Sequence, residues 1–351
     1  MTGYHVPTRG ILMSDDARDG ADTGANVVVT GAAGFIGSHL VEALRRTGRN
    51  VVGIDRKAGW PEDEIPASDG VGYLRTIRGD LVSADLDACL KDTSAVFHLA
   101  ALPGVRPSWT QFPEYLHCNV LATQRLLDAC VRVGVSRVVV ASSSSVYGGV
   151  ADGAMSEDDI PHPLSPYGVT KLAAERLALA FAARLDATLS VSALRFFTVY
   201  GPGQRPDMFI SRVVRATLSG EPIDIYGDGA QIRDFVHVSD VVRALLLAAK
   251  APACGVLNIG TGRAVSVNEV LALTGELTGQ VPEARYGPAR LGDVRATTAD
   301  VGRARLRLGF RARTELRAGL ATQIEWTRRS LAGAPPRQAA SSVGMAPTRR
   351  S

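Results

Sequence analysis

A tyrosine and a lysine four residues apart are well placed in this sequence to move a proton together. Tyr167 and Lys171 follow Ser165-Pro166, a pair typical of a helix start with serine as N-cap and proline in the first turn. A helix brings residues i and i+4 onto one face, so the phenol and the ammonium would lie one turn apart. A free tyrosine ionises near pH 10. A nearby ammonium would lower that pKa towards neutrality, which predicts acid-base chemistry.

A run of serines supplies hydroxyl groups for the same chemistry. Residues 142–145 are all serine, and they follow the apolar run at 137–141, which predicts a buried strand. Because ligands bind at the carboxyl ends of parallel strands, a hydroxyl of this serine run can share the substrate proton with Tyr167. His98 ends another predicted strand, and we interpret it as a packing residue rather than an acid-base group.

A glycine-rich loop near the start of the chain predicts a dinucleotide site. Gly31, Gly34 and Gly37 lie between a β-branched run at 27–29 and an amphipathic pattern at 38–47. The spacing is Gly-x-x-Gly-x-x-Gly, in the strand-to-helix context that a phosphate-binding turn requires. The three glycines permit a tight turn, a close approach of backbone to pyrophosphate, and close packing of helix on strand.

The residues after the second predicted strand bear on the choice of cofactor. Asp55 ends that strand, and its carboxylate can accept hydrogen bonds from ribose hydroxyls while repelling a 2′-phosphate. This favours NAD over NADP, although Arg56 and Lys57 follow directly and weaken the inference. Asp80 and Leu81 are expected at the adenine edge.

Strands and helices alternate along the first two thirds of the chain. Predicted strands at 51–54, 95–99 and 137–141 and a helix at 119–133 argue for an α/β fold with a Rossmann-like, doubly wound parallel sheet. After Tyr200 glycine and proline become denser, which suggests a smaller C-terminal substrate-binding α/β lobe. The expected division is a disordered segment at 1–24, a cofactor domain at 25–195 with 234–260 returning to it, a lobe at 196–233 and 261–330, and a disordered tail at 331–351.

Composition excludes several classes of function. The chain has 351 residues, a net charge of +4 and a pI of about 9.0, with basic residues scattered rather than clustered. We therefore expect no nucleic-acid partner, and the charge suits a small anionic substrate. No apolar run is long enough for a membrane span. The four cysteines lack CxxC spacing, which indicates reduced thiols in a cytoplasmic protein without a metal site.

Taken together, these motifs resemble the extended short-chain dehydrogenase/reductases that act on nucleotide sugars. The resemblance covers residues 26 to about 328 and rests on the segments at 31–37, 98–101, 142–148, 167–171 and 195–202. It implies NAD retained through a full redox cycle, with catalysis by Ser143, Tyr167 and Lys171. The positive end of the bound nicotinamide would add to the Lys171 ammonium in lowering the pKa of Tyr167. The cofactor contacts it implies are Gly31, Gly34, Phe35, Ile36, Gly37, Asp55, Arg56, Asp80, Leu81, Leu99, Ala100, Ala101, Asn119, Ser142, Tyr167 and Lys171.

The residues after the catalytic serine favour one branch of that family. Dehydratases carry Asp-Glu or Glu there, and decarboxylases usually carry Glu where this chain has Ser145. Thr198, where many relatives carry Asn, is similar to the UDP-glucuronate 4-epimerase branch, and hydroxyls at these places could hold a C5 carboxylate. The substrate contacts that the resemblance implies are Arg106, Ser143, Ser144, Ser145, Thr198, Arg205, Arg233, Arg290 and Asp293, with Arg233 and Arg290 on phosphates and Asp293 on ribose.

The reaction implied is interconversion of UDP-glucuronate and UDP-galacturonate. C4 is oxidised, the 4-keto sugar rotates, and C4 is reduced from the other face. Alternatives are a UDP-glucose/galactose 4-epimerase, then a UDP-glucuronate decarboxylase, and, from another class, a non-catalytic NAD-sensing protein. Long helices predicted at 113–133 and 167–184 would suit the interface of a homodimer.

Overall fold

The strands of the protein alternate with helices over most of its length. The computed structural model describes residues 25–57, 60, 63–149, 153–186, 188–288 and 294–333. Its strands are β1 (Asn26–Thr30), β2 (Val51–Asp55), β3 (Asp63–Ile65), β4 (Leu74–Arg78), β5 (Thr93–His98), β6 (Arg137–Ser143), β7 (Ser190–Phe196), β8 (Thr198–Tyr200), β9 (Ile223–Tyr226), β10 (Ile232–His237), β11 (Gly255–Ile259), β12 (Ala264–Ser266), β13 (Ala284–Gly287) and β14 (Ala296–Thr297).

The helices connect these strands and cover the sheet. They are α1 (Phe35–Arg46), α2 (Leu86–Cys89), α3 (Phe112–Tyr115), α4 (Ala122–Val133), α5 (Pro166–Ala182), α6 (Phe209–Ser219), α7 (Val238–Lys250), α8 (Val267–Thr278), α9 (Gly302–Leu308) and α10 (Leu316–Ala332). Short 3₁₀ turns occupy Pro107–Trp109 and Ser144–Val146, and a π-helix occupies Leu116–Leu121. In the part of the chain described here, no helix is long and apolar enough to cross a membrane.

A large, mostly parallel sheet forms the centre of the fold. Within the described residues it has eight strands in the order β11-β7-β6-β5-β1-β2-β4-β3, and β3 pairs antiparallel with β4 at one edge. The doubly wound α/β architecture and the strands expected at 27–29, 51–54, 95–99 and 137–141 are confirmed. The sequence analysis missed β3, an edge strand whose three residues are all exposed, and β4 beside it, which buries only Leu74 and Thr76.

Alternating side chains of the central strand β1 divide the core into two layers. Val27 and Val29 pack on the face covered by α1 and α7, together with Leu40. Val28 points to the opposite face, where α4 and α5 contribute Leu126 and Ala178. Because successive side chains of a strand face opposite sides, three consecutive valines serve both layers. The helices thus hold the carboxyl ends of β1, β2, β5 and β6 along one edge.

A smaller lobe lies beyond the end of β7. Here β10 pairs with β8, β12 and β14, while β9 pairs with β13. The fully buried carboxylate of Asp234 accepts hydrogen bonds from the backbone of Thr261, Gly262 and Ala299. One side chain of β10 therefore ties together the segments around this small sheet. β11 instead pairs with β7 in the large sheet.

Three boundaries differ from the sequence expectation. Helix α1 begins at Phe35 rather than residue 38, because its N-cap is Gly34 within the glycine loop. The helix expected from residue 119 is continuous with α3 and the π-helix before it. The disordered tail was expected from residue 331, yet α10 continues to Ala332. The segment 1–24 and residues 334–351 lie outside the described residues.

Candidate active site

The edge formed by the carboxyl ends of the parallel strands gathers most of the predicted site. Gly31 follows β1, Asp55 ends β2, Leu99 follows β5 and Ser143 ends β6. These strands are neighbours in the sheet, so residues far apart in sequence meet at one edge. Helix α5 runs beside this edge and places Tyr167 in its first turn.

The glycine loop has the geometry of an anion-binding turn. Gly31 has φ +71°, and a Cβ there would lie 2.7 Å from the backbone nitrogen of Ala100, so only glycine fits. A Cβ on Gly37 would overlap the carbonyl oxygen of Gly31. Phe35 and Ile36 open α1, whose N-cap Gly34 provides no side-chain hydrogen bond, and the first turn carries no acidic residue. The positive end of this helix is thus open to an anionic group.

The acidic residues beside this loop hold backbone amides. The Asp55 carboxylate accepts hydrogen bonds from the backbone N–H groups of Ala33 at 2.9 Å and Lys57 at 2.8 Å. Arg56 points to Asp80, with a nitrogen–oxygen distance of 3.6 Å. Since its guanidinium is paired with a carboxylate, Arg56 is less suited to a 2′-phosphate than the sequence alone suggested. Leu81 is buried in the core next to Asp80.

The segment after β5 is fixed by a buried histidine and two threonines. The imidazole nitrogens of His98 lie 2.8 Å and 2.9 Å from the hydroxyls of Thr30 and Thr123. Thr30 Oγ1 also accepts a hydrogen bond from the backbone N–H of Ala100. Burial, together with a smaller effect of the Lys171 ammonium, lowers the pKa of His98 to about 3. The histidine is neutral and structural, in agreement with its interpretation as a packing residue.

The first turn of α5 lies directly against the serine loop. The Ser165 hydroxyl caps the helix by accepting from the Gly168 N–H at 3.1 Å. A Cβ on Gly168 would lie 2.5 Å from the Ser145 carbonyl oxygen, so the glycine allows this close approach. Tyr167 packs edge-to-face on Tyr115, with ring centroids 6.3 Å apart. The expected Ser-Pro helix start is confirmed.

Burial raises the pKa of the Tyr167 phenol above its ordinary value of 10.0, while a hydrogen bond with Ser143 and the charge of Arg205, from the loop after β8, oppose the rise. The sequence analysis expected the Lys171 ammonium and a bound nicotinamide to lower this pKa. In the protein alone, burial outweighs the nearby positive charge, and the sequence analysis did not anticipate the effect of Arg205 on the phenol.

Lys171 is buried beneath the site and faces an acidic neighbour. Burial lowers its pKa from 10.5 to about 8, and the Glu175 carboxylate opposes this shift. Glu175 lies one further turn along the same face of α5, at the i+4 position from Lys171. The ammonium is therefore protonated at neutral pH with little margin.

Glu175 belongs to a buried cluster that the sequence analysis missed. Its carboxylate accepts two hydrogen bonds from the Arg195 guanidinium, at 2.9 and 2.7 Å, and one from the Ser142 hydroxyl at 2.7 Å. The Arg195 guanidinium also lies 4.6 Å from the centre of the Tyr147 ring. Ser142 was predicted as a cofactor contact, but its hydroxyl donates into this cluster. Extending the Tyr167–Lys171 face by one turn would have found Glu175.

Asn119 is likewise bonded to the protein. Its side-chain oxygen accepts from the Leu102 N–H at 2.7 Å, and its nitrogen donates to the Leu102 carbonyl and to Thr170 Oγ1. The Thr170 hydroxyl donates in turn to the Tyr167 carbonyl. Asn119 thus connects the segment after β5 with the first turn of α5. Its predicted role as a cofactor contact stays a prediction.

Two of the predicted substrate residues lie on β8 and the loop after it. Thr198 begins β8 and is partly exposed. Arg205 forms a two-point ion pair with Asp207, at 2.9 and 2.5 Å, and its guanidinium is about one third exposed (34%). Ser144 and Ser145 are partly exposed in the 3₁₀ turn that follows Ser143. Hydroxyls and one cation therefore surround the Tyr167 phenol.

The remaining substrate candidates spread towards the smaller lobe. The Arg106 guanidinium lies 4.9 Å from the centre of the Tyr226 ring, at the end of β9. Arg233 donates to the carbonyl of Ile232. Arg290 and Asp293 lie outside the described residues. Among the residues that are described, no group of histidine, cysteine and acidic side chains could hold a metal ion.

Comparison with known proteins identifies the class. A family model for the NAD dependent epimerase/dehydratase family matches residues 27–260, and the chain belongs to this family. It is therefore an isomerase of the NAD-dependent UDP-sugar 4-epimerase group. A curated relative from Bacillus subtilis, the uncharacterized UDP-glucose epimerase YtcB, is 38% identical over 309 residues, covering 86% of this chain and 97% of the relative.

The chain is also similar to solved structures of proteins with bound UDP-sugars. MoeE5 in complex with UDP-glucuronic acid and NAD is 73% identical, with a TM-score of 0.81, covering 87% of this chain and 99% of that one. MoeE5 in complex with UDP-glucose and NAD gives a TM-score of 0.82 with the same identity and coverage. The UDP-glucuronic acid 4-epimerase of Bacillus cereus, in complex with UDP-glucuronic acid and NAD, is 36% identical with a TM-score of 0.79, covering 87% and 99% of the two chains.

Tyr167→Phe removes only the phenol oxygen at the centre of the site. We expect the variant to bind NAD normally and to turn over at least about 100-fold more slowly, the scale of a lost acid-base group. Steady-state kinetics and NAD titration measure the two quantities. Tyr73→Phe serves as the control, because Tyr73 directly precedes β4 and lies away from the carboxyl ends of the strands. Near-normal turnover of Tyr167→Phe would show that another group transfers the proton.

The buried Lys171 predicts a pH dependence of stability. Its folded-state pKa of about 8 lies below the ordinary value of 10.5, so between these values the unfolded chain binds a proton that the folded chain lacks. The free energy of unfolding should therefore rise with pH across this window. The difference between the native protein and Lys171→Met, measured by urea unfolding from pH 7.5 upward, isolates this contribution. A difference that does not vary with pH would contradict the assigned pKa.

Proposed function

We propose that the protein is a UDP-glucuronate 4-epimerase that interconverts UDP-glucuronate and UDP-galacturonate with NAD as resident cofactor. The cofactor domain would hold NAD, and the smaller lobe would hold the nucleotide of the sugar. A second candidate, UDP-glucose 4-epimerase, is kept because the 73% identical MoeE5 has been solved with UDP-glucose as well as with UDP-glucuronic acid.

The residues at the glycine loop fit NAD. The turn at Gly31 admits backbone but no side chain, and the start of α1 offers N–H groups without a side-chain cap for the pyrophosphate. Asp55 would accept from the adenosine ribose, while Lys171 would hold the nicotinamide ribose. Bound NAD supplies a hydride acceptor and, once reduced, a hydride donor for C4 of the sugar.

Proton transfer falls to Tyr167 and Ser143. The phenolate of Tyr167 would accept the C4 hydroxyl proton, directly or through the Ser143 hydroxyl, and return it when C4 is reduced again. Since burial raises the pKa of Tyr167, the phenolate needs positive charge nearby. Arg205 and the ammonium of Lys171 would contribute that charge, and Glu175 keeps the ammonium protonated.

The position of Arg205 is the observation that supports the choice of an acid sugar. Its charge reaches the Tyr167 phenol, which would contact C4, and a C5 carboxylate would lie one carbon away. Because Arg205 is paired with Asp207, the substrate carboxylate would have to share the guanidinium with Asp207 or displace it. Ser144, Ser145 and Thr198 add hydroxyls, and none of these places carries the carboxylic acid that the dehydratases use. A cation with hydroxyl donors complements a carboxylate and leaves a neutral hydroxymethyl group poorly matched.

The same pocket would also have to prevent decarboxylation of the 4-keto sugar. A C4 ketone beside a C5 carboxylate is a β-keto acid, and it loses carbon dioxide when the breaking bond aligns with the carbonyl π system. Several hydrogen bonds from fixed positions on β6 and β8 would hold the carboxylate out of that alignment. Suppression of decarboxylation is thus a matter of orientation in this proposal.

Proton NMR of the two UDP-sugars incubated with the purified enzyme tests the substrate proposal. We expect UDP-glucuronate to be epimerised with a kcat/KM at least roughly tenfold above that of UDP-glucose, because hydroxyls that the bound sugar covers and a neutral group leaves unpaired cost about 1–3 kcal/mol. Thr198→Val should reduce this preference and raise the yield of UDP-pentose.

Thr198→Ser, which keeps the hydroxyl, is the matched control and should preserve the preference. Turnover of UDP-glucose as fast as UDP-glucuronate would favour the second candidate. UDP-pentose as the main product of the unmodified enzyme would indicate a decarboxylase.

We also propose that the protein is a homodimer. Leu116 and Leu121 of the π-helix and Val169 of α5 are each more than 40% exposed on helices that pack side by side. Apolar side chains on two adjacent helices form a face that a second copy can cover by two-fold symmetry. A second copy of the chain is therefore the occupant proposed for this face.

Leu121→Glu would place a charge in the proposed dimer face. Sedimentation velocity should give a dimer for the native protein and a monomer for this variant, since burial of an unpaired carboxylate opposes association. Leu306→Glu, on exposed α9, is the control and should remain dimeric. A native protein that sediments as a monomer would exclude the proposal.

A further inference from the structure

Helix α10, which lies beyond the residues that match the family model, contacts the loop that carries Arg205. Gln323 is a buried amide on this helix, 1% exposed. We propose that Gln323, acting together with Gln204, is a positioning residue that sets substrate preference from a distance by fixing the Gly201–Arg205 loop. The inference rests on the proposed function, in which Thr198 and Arg205 contact the acid sugar.

Both ends of the Gln323 side-chain amide are hydrogen-bonded. Its side-chain oxygen accepts from the Gly201 N–H at 2.9 Å, and its nitrogen donates to the side-chain oxygen of Gln204 at 2.8 Å. Both amides are buried, and no charge is involved. A buried amide with both ends bonded restrains its partners because each lost bond leaves an unsatisfied polar group.

Gln204 extends the connection in two further directions. Its nitrogen donates to the Val199 carbonyl at 2.9 Å, and its oxygen also accepts from the Ser211 N–H at 3.0 Å. Val199 follows Thr198 on β8, and Ser211 lies in the first turn of α6. The two glutamines thus join β8, the loop after it, α6 and α10.

The backbone at Gly201 is closely confined. Its φ is +137°, and a Cβ there would lie 2.8 Å from the Val238 side chain, so the chain passes close to α7 in a conformation that only glycine adopts readily. The next residue, Pro202, is hydrogen-bonded through its carbonyl to His39 Nε2 of α1 at 2.8 Å. Arg205 follows four residues after Gly201, so a shift of the Gly201 amide would move the start of the segment that carries the guanidinium.

If Gln323 positions the loop and does not merely stabilise the protein, its substitution should change the preference between the two sugars. Gln323→Asn keeps an amide but shortens its reach, and Gln323→Leu removes the polar group. We expect either variant to lower the kcat/KM of UDP-glucuronate relative to UDP-glucose by roughly tenfold or more, with NAD affinity unchanged. Hydrogen–deuterium exchange of the protein without substrate should become faster in residues 199–211 and remain native in residues 137–143 of β6.

Thr327→Val supplies a matched control on the same helix. Thr327 is equally buried, and its hydroxyl donates to the Gln323 carbonyl within the helix, so its loss weakens α10 without touching the loop. This variant should keep the native substrate ratio and the native exchange of residues 199–211. Because the two glutamines act as one unit, Gln204→Leu with Gln323→Leu should change the ratio no more than the larger single effect.

Two results would overturn the inference. The first is that the Gln323 variants and Thr327→Val show the same ratio of kcat/KM for the two sugars and the same exchange rate in residues 199–211. The other is additive effects of the two glutamine substitutions. The proposed function is judged separately, by the preference of the unmodified enzyme for UDP-glucuronate, and loop exchange reports on Gln323 whichever sugar is the substrate.

Discussion

The buried ion pair between Glu175 and Arg195 is the constraint on which the geometry of the catalytic residues depends. It joins α5 to β7, and through the Ser142 hydroxyl it joins both to β6. Taking two charges out of water costs several kcal/mol per ion, and here two charge-assisted hydrogen bonds, with the Tyr147 ring beside the guanidinium, offset that cost. The helix with Tyr167 and Lys171 is thereby held at a fixed distance from the strand with Ser143. Proton transfer requires a well-defined distance between these groups. Apolar packing of an alanine-rich helix alone would fix that distance less precisely.

The two halves of the site use different physical means. The cofactor side relies on backbone: tight glycine turns, an open helix start and strand ends brought together by parallel pairing. The proposed sugar side would rely on side chains, including Thr198 of β8 and Arg205 of the loop after it. Backbone recognition suits a cofactor common to a whole family, whereas side chains change readily by substitution. A common sheet edge with variable loops therefore allows relatives to act on different sugars.

Much of the cofactor side was predictable because its signals are local. Local structure is indicated directly by glycines at fixed spacing, by β-branched runs and by the Ser-Pro pair before Tyr167. The partners of Ser142 and Asn119 were not predictable, since they come from elements brought close only by the fold. The rise in the pKa of Tyr167 in the protein alone was missed for the same reason: burial, which the sequence does not display, outweighs the nearby positive charge. The edge strand β3 was missed because its exposed residues carry little apolar periodicity.

The π-helix at Leu116–Leu121 has a consequence for comparing relatives. The N–H of Ala122 donates to the carbonyl of His117, five residues back, so this turn holds one residue more than an α-helical turn. Because the extra residue is already contained within one wide turn, deletion of one residue here would close it to an α-helical turn and leave Tyr115 on its present face relative to α4. The contact between the Tyr115 and Tyr167 rings would then persist. A single-residue gap in this segment of a relative therefore indicates loss of the wide turn, and the ring that packs on Tyr167 should be aligned across that gap.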